Sequence, residues 1–173
     1  MGDAHPEPGR ERGNAGLMPS RRDQITLSDE EQRELIDSER IVVIGSNGPR
    51  GWPHLMPVWY VPRDGEIWVY TYGKAQKVRN LERDANATLL IETGHEYQEL
   101  RGVMIEAKAE IHRDFDTVFQ LAQELSVRYT DGLDSVTEDG KAVLEKQATK
   151  RVAIHFIPER VASWDHGKLG GTY

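Results

Sequence analysis

The chain has 173 residues, 38% of them apolar and 29% charged, with a formal net charge of −7. That length supports one folded domain with a real core, and the acidity argues against non-specific nucleic-acid binding, which needs a basic face. Cysteine is absent, which excludes a disulfide framework, a thiol nucleophile and Cys-ligated metal centres and fits a cytoplasmic setting; no apolar run approaches the roughly 18 residues of a membrane span.

Residues 1 to about 24 are rich in Gly, Pro and charge and have no apolar period, so they read as a flexible tail, leaving 25–173 as the folded domain. Ser28-Asp29-Glu30-Glu31 is a capping-box pattern and predicts a short helix to about Asp37, with Leu35 and Ile36 inward. Strands are expected over Ile41–Ile44, His54–Val61 and Glu66–Tyr72, the last two joined by the hairpin signal Asp64-Gly65. In the Glu66–Tyr72 strand, Ile67, Val69 and Thr71 share one face and Trp68, Tyr70 and Tyr72 the other. Further strands are expected over Ala87–Glu92 and Leu100–His112, the latter alternating as a half-buried antiparallel strand does. Helices follow over Asp114–Tyr129 and Glu138–Ala148, then a strand over Arg151–Ile157 that Pro158 is expected to break. Strands joined by hairpins, without βαβ alternation, argue for a small antiparallel barrel with flanking helices rather than a Rossmann sheet.

The densest functional stretch runs from Tyr70 through Gly73 into a short helix, and Lys74, Lys77, Arg79 and Arg83 place four cations in ten residues. A helix N-terminus beside lysines is an anion site, and Lys74 and Lys77 are spaced to share a face while Arg79 points away. The same spacing also reads as a solvated basic helix face. His54 lies on the same side of its strand as Met56 and Val58. His95, His112 and His155 share no metal-ligand spacing, so no metal site is expected.

Four segments together resemble the split-barrel flavin and deazaflavin oxidoreductases of the pyridoxamine 5′-phosphate oxidase superfamily, in particular the branch that uses the deazaflavin coenzyme F-420. They are Pro53-His54-Leu55-Met56-Pro57-Val58-Trp59-Tyr60, Asp64-Gly65-Glu66-Ile67-Trp68, Gln76-Lys77-Val78-Arg79-Asn80-Leu81 with Arg83-Asp84, and Ser163-Trp164-Asp165-His166-Gly167-Lys168-Leu169-Gly170. Leu100-Arg101-Gly102-Val103 fits the long strand of that family. The resemblance implies an antiparallel split β-barrel and a homodimer with two cofactor sites at the subunit interface. Met56, Pro57, Val58 and Trp59 would lie against the flavin ring. Tyr70, Thr71, Tyr72 and the Lys77 helix, with Lys74, Gln76, Arg79 and Asn80, would hold the phosphate-bearing tail. Trp164, His166 and Lys168 would come from the other subunit and close the site.

The sequence departs from pyridoxamine-phosphate oxidases proper, having Ala75-Gln76 before Lys77 and Trp164-Asp165-His166-Gly167-Lys168 where those enzymes carry Arg-x-His. The expected cofactor is therefore coenzyme F-420, with FMN as the alternative. The expected activity is hydride transfer to a small organic substrate, with no protein nucleophile. The alternatives are an FMN flavoprotein of the pyridoxamine-phosphate-oxidase type or a non-catalytic flavin or deazaflavin carrier.

Overall fold

The computed structural model describes residues 20–170. Two capping boxes open this part of the chain, Ser20 with Asp23 on α1 (Arg21–Ile25) and Ser28 with Glu31 on α2 (Asp29–Ser38). In each, the hydroxyl accepts an N–H of the first turn and the acidic side chain returns to the cap. The end of the stretch read as a tail is thus helical from Arg21, and residues 1–19 lie outside the described residues. Helix α2 buries Leu35 and Ile36, as its spacing predicts.

The strands are β1 (Val42–Asn47), β2 (Pro53–Val58), β3 (Val61–Arg63), β4 (Glu66–Tyr72), β5 (Asn86–Thr93), β6 (Arg101–His112) and β7 (Arg151–Asp165). They form one antiparallel sheet in the order β2-β1-β5-β6-β7-β4-β3. The first and last strands in that order are joined by Trp59 and Tyr60 alone. Val58 and Val61 lie no more than about 11 Å apart at full extension, so the sheet curls until its edges nearly meet. This is a split β-barrel. The strand expected over His54–Val61 is therefore two strands on opposite edges. Tyr60 anchors the crossing: it is fully buried, and its hydroxyl donates to the Ile36 carbonyl at 2.5 Å.

The inner face packs Val42, Ile44, Ile67, Leu89, Ile105 and Phe156 with Val78 and Leu81 of α3 (Gln76–Arg83). On the outer face, α4 (Phe115–Tyr129) and α5 (Glu138–Ala148) cover β3, β4 and β7 through Val118, Leu121 and Ala148. Asp64 and Gly65 both adopt positive φ (53° and 84°) in the tight β3–β4 turn, as the Asp-Gly signal predicts. Among the described residues, no helix is long and apolar enough to cross a membrane.

Pro158 does not end its strand. Glu106 pairs with Arg160 and Ala107 with Pro158, leaving Glu159 as a bulge. Proline is tolerated at a bulge, and pairing of β7 with β4 has already stopped at Phe156. The extra residue also resets which β7 side chains face inward, since a one-residue shift in register exchanges the two faces.

Candidate functional site

The turn at Gly73 leads into α3, whose N-cap is Ala75 with no side-chain cap hydrogen bond. The first N–H groups of such a helix have no intrahelical acceptor. Asn80 pins the helix to β1: it is fully buried, its Nδ2 donates to Ser46 Oγ at 3.1 Å, and its Oδ1 accepts Gln76 Nε2 at 2.8 Å. One turn earlier, Lys77 is only 7% exposed. Among the described residues it makes no ion pair or hydrogen bond, and burial pushes its ammonium pKa below the usual lysine value. A buried cation without a partner is costly unless an anion joins it. Here it sits beside open N–H groups that would receive the same anion.

The start of β2 borders this helix, where Pro53 and His54 share a pocket with Gln76. The register of β2 sets His54 opposite Ser46, Met56 opposite Ile44 and Val58 opposite Val42, so these three share the side of the core residues. As an edge strand it is only partly covered, with Met56 37% exposed and His54 and Val58 half-buried. His54 and Gln76 line a 270 Å³ pocket with Arg50 and Trp52, and His54 Nδ1 is buried without a hydrogen bond. Pro57 points to the opposite face. Trp59 stacks on Tyr129 with ring centroids 4.4 Å apart.

Strand alternation divides the Tyr70–Tyr72 segment. Thr71 is buried on the inner side, whereas Tyr70 and Tyr72 face outward under the Arg151 guanidinium, which lies 4.7 and 4.1 Å from their ring centroids. Burial raises the Tyr70 phenol pKa above its usual value. Lys74 is exposed in the turn before α3 and lines a second, 640 Å³ pocket with Tyr72, Arg113, Lys150 and Arg151. Lys74 and Lys77 therefore do not share a face, because Lys74 precedes the helix. Arg79 is exposed, as its spacing predicts.

The C-terminal segment folds onto its own chain. The Trp164 ring lies over Gly102, where any Cβ would collide with it. His166 Nδ1 donates to the Tyr97 carbonyl at 3.0 Å. Lys168 Nζ donates to the Thr26 carbonyl at 3.0 Å and pairs with Glu31 at 2.6 Å, holding the Glu31 carboxyl at about 2. Asn86, just after α3, pairs with Lys108, six residues along β6 from Gly102. At ~3.4 Å per residue this is ~20 Å. One chain alone thus brings His54, Ser46, Gln76 and Asn80 together, sets Met56, Val58 and Thr71 on the same inner side of the sheet, and leaves Trp164, His166 and Lys168 at the far end of β6.

The family model for pyridoxamine 5′-phosphate oxidase matches residues 28–165. The chain belongs to this family. Pyridoxamine 5′-phosphate oxidase-like proteins share a flavin-binding fold, and the family includes oxidoreductases. A crystal structure of a conserved hypothetical protein from Mycobacterium tuberculosis is similar to this member at a TM-score of 0.79, with 36% identity over 88% of this chain and 93% of that one. An F-420 reductase is similar at a TM-score of 0.57, with 19% identity over 75% of this chain and 94% of that one. The heme storage protein of Vibrio cholerae reaches a TM-score of 0.61, with 13% identity over 80% of this chain and 97% of that one. No curated protein matches the chain.

Sequence reasoning missed Arg151 and Ser46. Arg151 meets Tyr72 only through the β4–β7 register, and Ser46 lies in the extension of β1 beyond the expected end at Ile44. It also missed that His112 and His155, 43 positions apart in the chain, come together with Glu110 on the outer face.

Proposed function

We propose that this member of the family is an oxidoreductase that uses the deazaflavin coenzyme F-420 to reduce a small organic substrate. The observation that carries the proposal is Lys77, a largely buried lysine with no partner among the described residues, at the open N-terminus of α3. Its chemistry fits an anionic cofactor tail, because charge-assisted hydrogen bonds to a phosphate offset the desolvation of the ammonium. The apolar, half-open inner face of β2 at Met56 and Val58 fits a planar ring. The second basic pocket, at Lys74, Lys150 and Arg151, begins three residues from Lys77 and suits a tail with negative charge beyond a single phosphate. That favours F-420 over FMN.

When bound, the reduced deazaflavin supplies a hydride. The protein's part is to bind and orient: Lys77 and the α3 N–H groups hold the tail, Asn80 and Ser46 fix the helix that presents them, and Met56 and Val58 exclude water from one side of the ring. The substrate would be a small organic molecule with an electrophilic carbon, such as an activated alkene. We also assign a cytoplasmic location and a homodimeric assembly to this reading.

The test is titration of the purified protein with F-420 and with FMN, in wild type and Lys77→Ala, followed by turnover of the reduced cofactor with a panel of enones. Tighter binding of F-420, weakened roughly tenfold to a hundredfold by Lys77→Ala, is expected from the ~1.5–3 kcal/mol of a charged hydrogen bond. Tight FMN binding without F-420 binding would make the protein an FMN flavoprotein. Binding without turnover would make it a carrier. Unchanged affinity in Lys77→Ala would overturn the site.

A further inference from the structure

On the outer face of the sheet, Glu110 and His112 are two residues apart on β6 and therefore point the same way. The β6–β7 register sets His155 directly opposite Glu110. One donor atom from each of Glu110, His112 and His155 lies within 4.8 Å of the others. Glu110 Oε2 is 4.0 Å from His112 Nε2 and 3.9 Å from His155 Nδ1.

We propose that Glu110, His112 and His155 form a binding site for a divalent first-row transition-metal ion of the zinc class. Two imidazoles and one carboxylate are a donor set suited to zinc and its neighbours rather than to magnesium or calcium. Donors on a tetrahedral zinc at 2.0–2.2 Å stand about 3.4 Å apart, so the two Glu110–histidine distances would shorten by about half an ångström, and the histidine–histidine distance, within 4.8 Å here, by up to about 1.4 Å, through side-chain rotation. Three protein ligands leave a position open for water or another small ligand.

Three further observations point the same way. His112 Nε2 is buried and has no hydrogen-bond partner, although it faces the Glu110 carboxylate. Among the described residues, Glu110 has no lysine or arginine partner to neutralise it; its ion-pair contacts are His112 and His155. His155 turns Nδ1 toward Glu110 and donates its other ring nitrogen, Nε2, to Glu66 at 2.6 Å. A carboxylate behind a ligating histidine fixes its tautomer and raises its basicity, the arrangement found behind metal-bound imidazoles. Trp68 sets the ring orientations, stacked on His155 at 4.3 Å and 9° and beside His112 at 5.2 Å. The site bridges β6 and β7 and is held from β4 through Glu66 and Trp68, so the ion would tie three strands together.

The experiment is calorimetric titration of the metal-stripped, untagged full-length protein with zinc chloride, with cobalt(II) absorption as a second probe of the ligand set. One zinc per chain is expected in wild type. Glu110→Gln and His112→Gln should each weaken binding at least tenfold, and Glu66→Gln should weaken it by about ten- to a hundredfold through loss of the partner behind His155. Glu34→Gln, an exposed acid on α2, should bind as wild type does. Circular dichroism monitors folding; Glu110 is exposed, so Glu110→Gln tests the site even if a histidine variant unfolds. Absence of zinc binding by wild type, or equal affinity in wild type and Glu110→Gln, overturns the proposal.

Discussion

In the proposed site, Lys77 would set function against stability at a single residue. Its side chain is largely buried on the helix that also buries Val78 and Leu81, so its charge keeps only part of its hydration, and burial lowers its pKa from 10.5. A folded pKa below the unfolded one means that, between the two, the unfolded chain binds more protons. Stability therefore rises with pH through that window, and the cost of burying the charge is fully present at neutral pH. Lys77→Met keeps the apolar stem and removes the charge. We expect the ligand-free variant to melt no lower than wild type at pH 7, and any gain to shrink as the pH approaches 10.5. Affinity for an anionic cofactor should fall as it does in Lys77→Ala. A variant less stable than wild type by more than ~1 kcal/mol, a typical destabilisation for a point mutant, would show that the ammonium serves the fold.

Elements carry the next constraint, because Lys168 ties the C-terminal 3₁₀ turn (His166–Leu169) to the α1 C-cap carbonyl of Thr26 and to Glu31 of α2. The Lys168 hydrogen bond lowers the Glu31 pKa from 4.5 to about 2. With the folded pKa depressed, the contribution is present above pH 4.5 and is lost as the pH falls toward 2. We expect the Trp164 indole resonance to shift and broaden across that window, and to be shifted already at neutral pH in Lys168→Ala; an unchanged resonance in the variant would show that Lys168 does not hold the segment. Local signals made elements of this kind legible from sequence. The Asp64-Gly65 turn, the capping box at Ser28 and the bounds of β4 and α5 each follow from a few neighbouring residues. What was not legible depends on register between distant strands. The bulge at Glu159 decides that His155 meets Glu110, and the curling of the sheet decides that Trp59 and Tyr60 join opposite edges. In the candidate site, Lys77 was singled out by the cations at a helix N-terminus and by motif likeness, and Met56 by motif likeness alone. The same likeness grouped Tyr70 and Tyr72 with Thr71, although strand alternation had already separated them.

At the scale of the whole molecule, the helices cover the sheet unevenly. Helices α4 and α5 clothe β3, β4 and β7, but the outer face of β2, β1 and β5 carries Leu55, 65% exposed, against Gly45 and Thr88 in a 480 Å³ hollow. Trp52, Ile41 and Trp59 are also exposed by 75%, 53% and 54%. Leu55 lies on the outer face of the sheet, whereas Trp52 and the pair Ile41 and Trp59 lie beyond opposite ends of β1 and β2; exposed apolar surface of this kind can serve association, and a specific interface buries about 1,200–2,000 Å² in total. The site argument leads to the same face of the problem: Trp164 stands ~20 Å along β6 from the α3 end, so it can close a cofactor site only if it comes from a second copy. We expect light scattering at micromolar concentration to give twice the 19.7 kDa chain mass. Leu55→Arg, at a position so exposed in the single chain, should leave the barrel folded by circular dichroism while shifting the mass to that of one chain. Cofactor affinity should drop at least tenfold on that dissociation, because each half-site then loses the segment supplied by its partner. A wild-type monomer with full cofactor affinity would refute both the interface and the shared site. A monomeric Leu55→Arg that binds cofactor as tightly as wild type would keep the interface and confine the site to one chain.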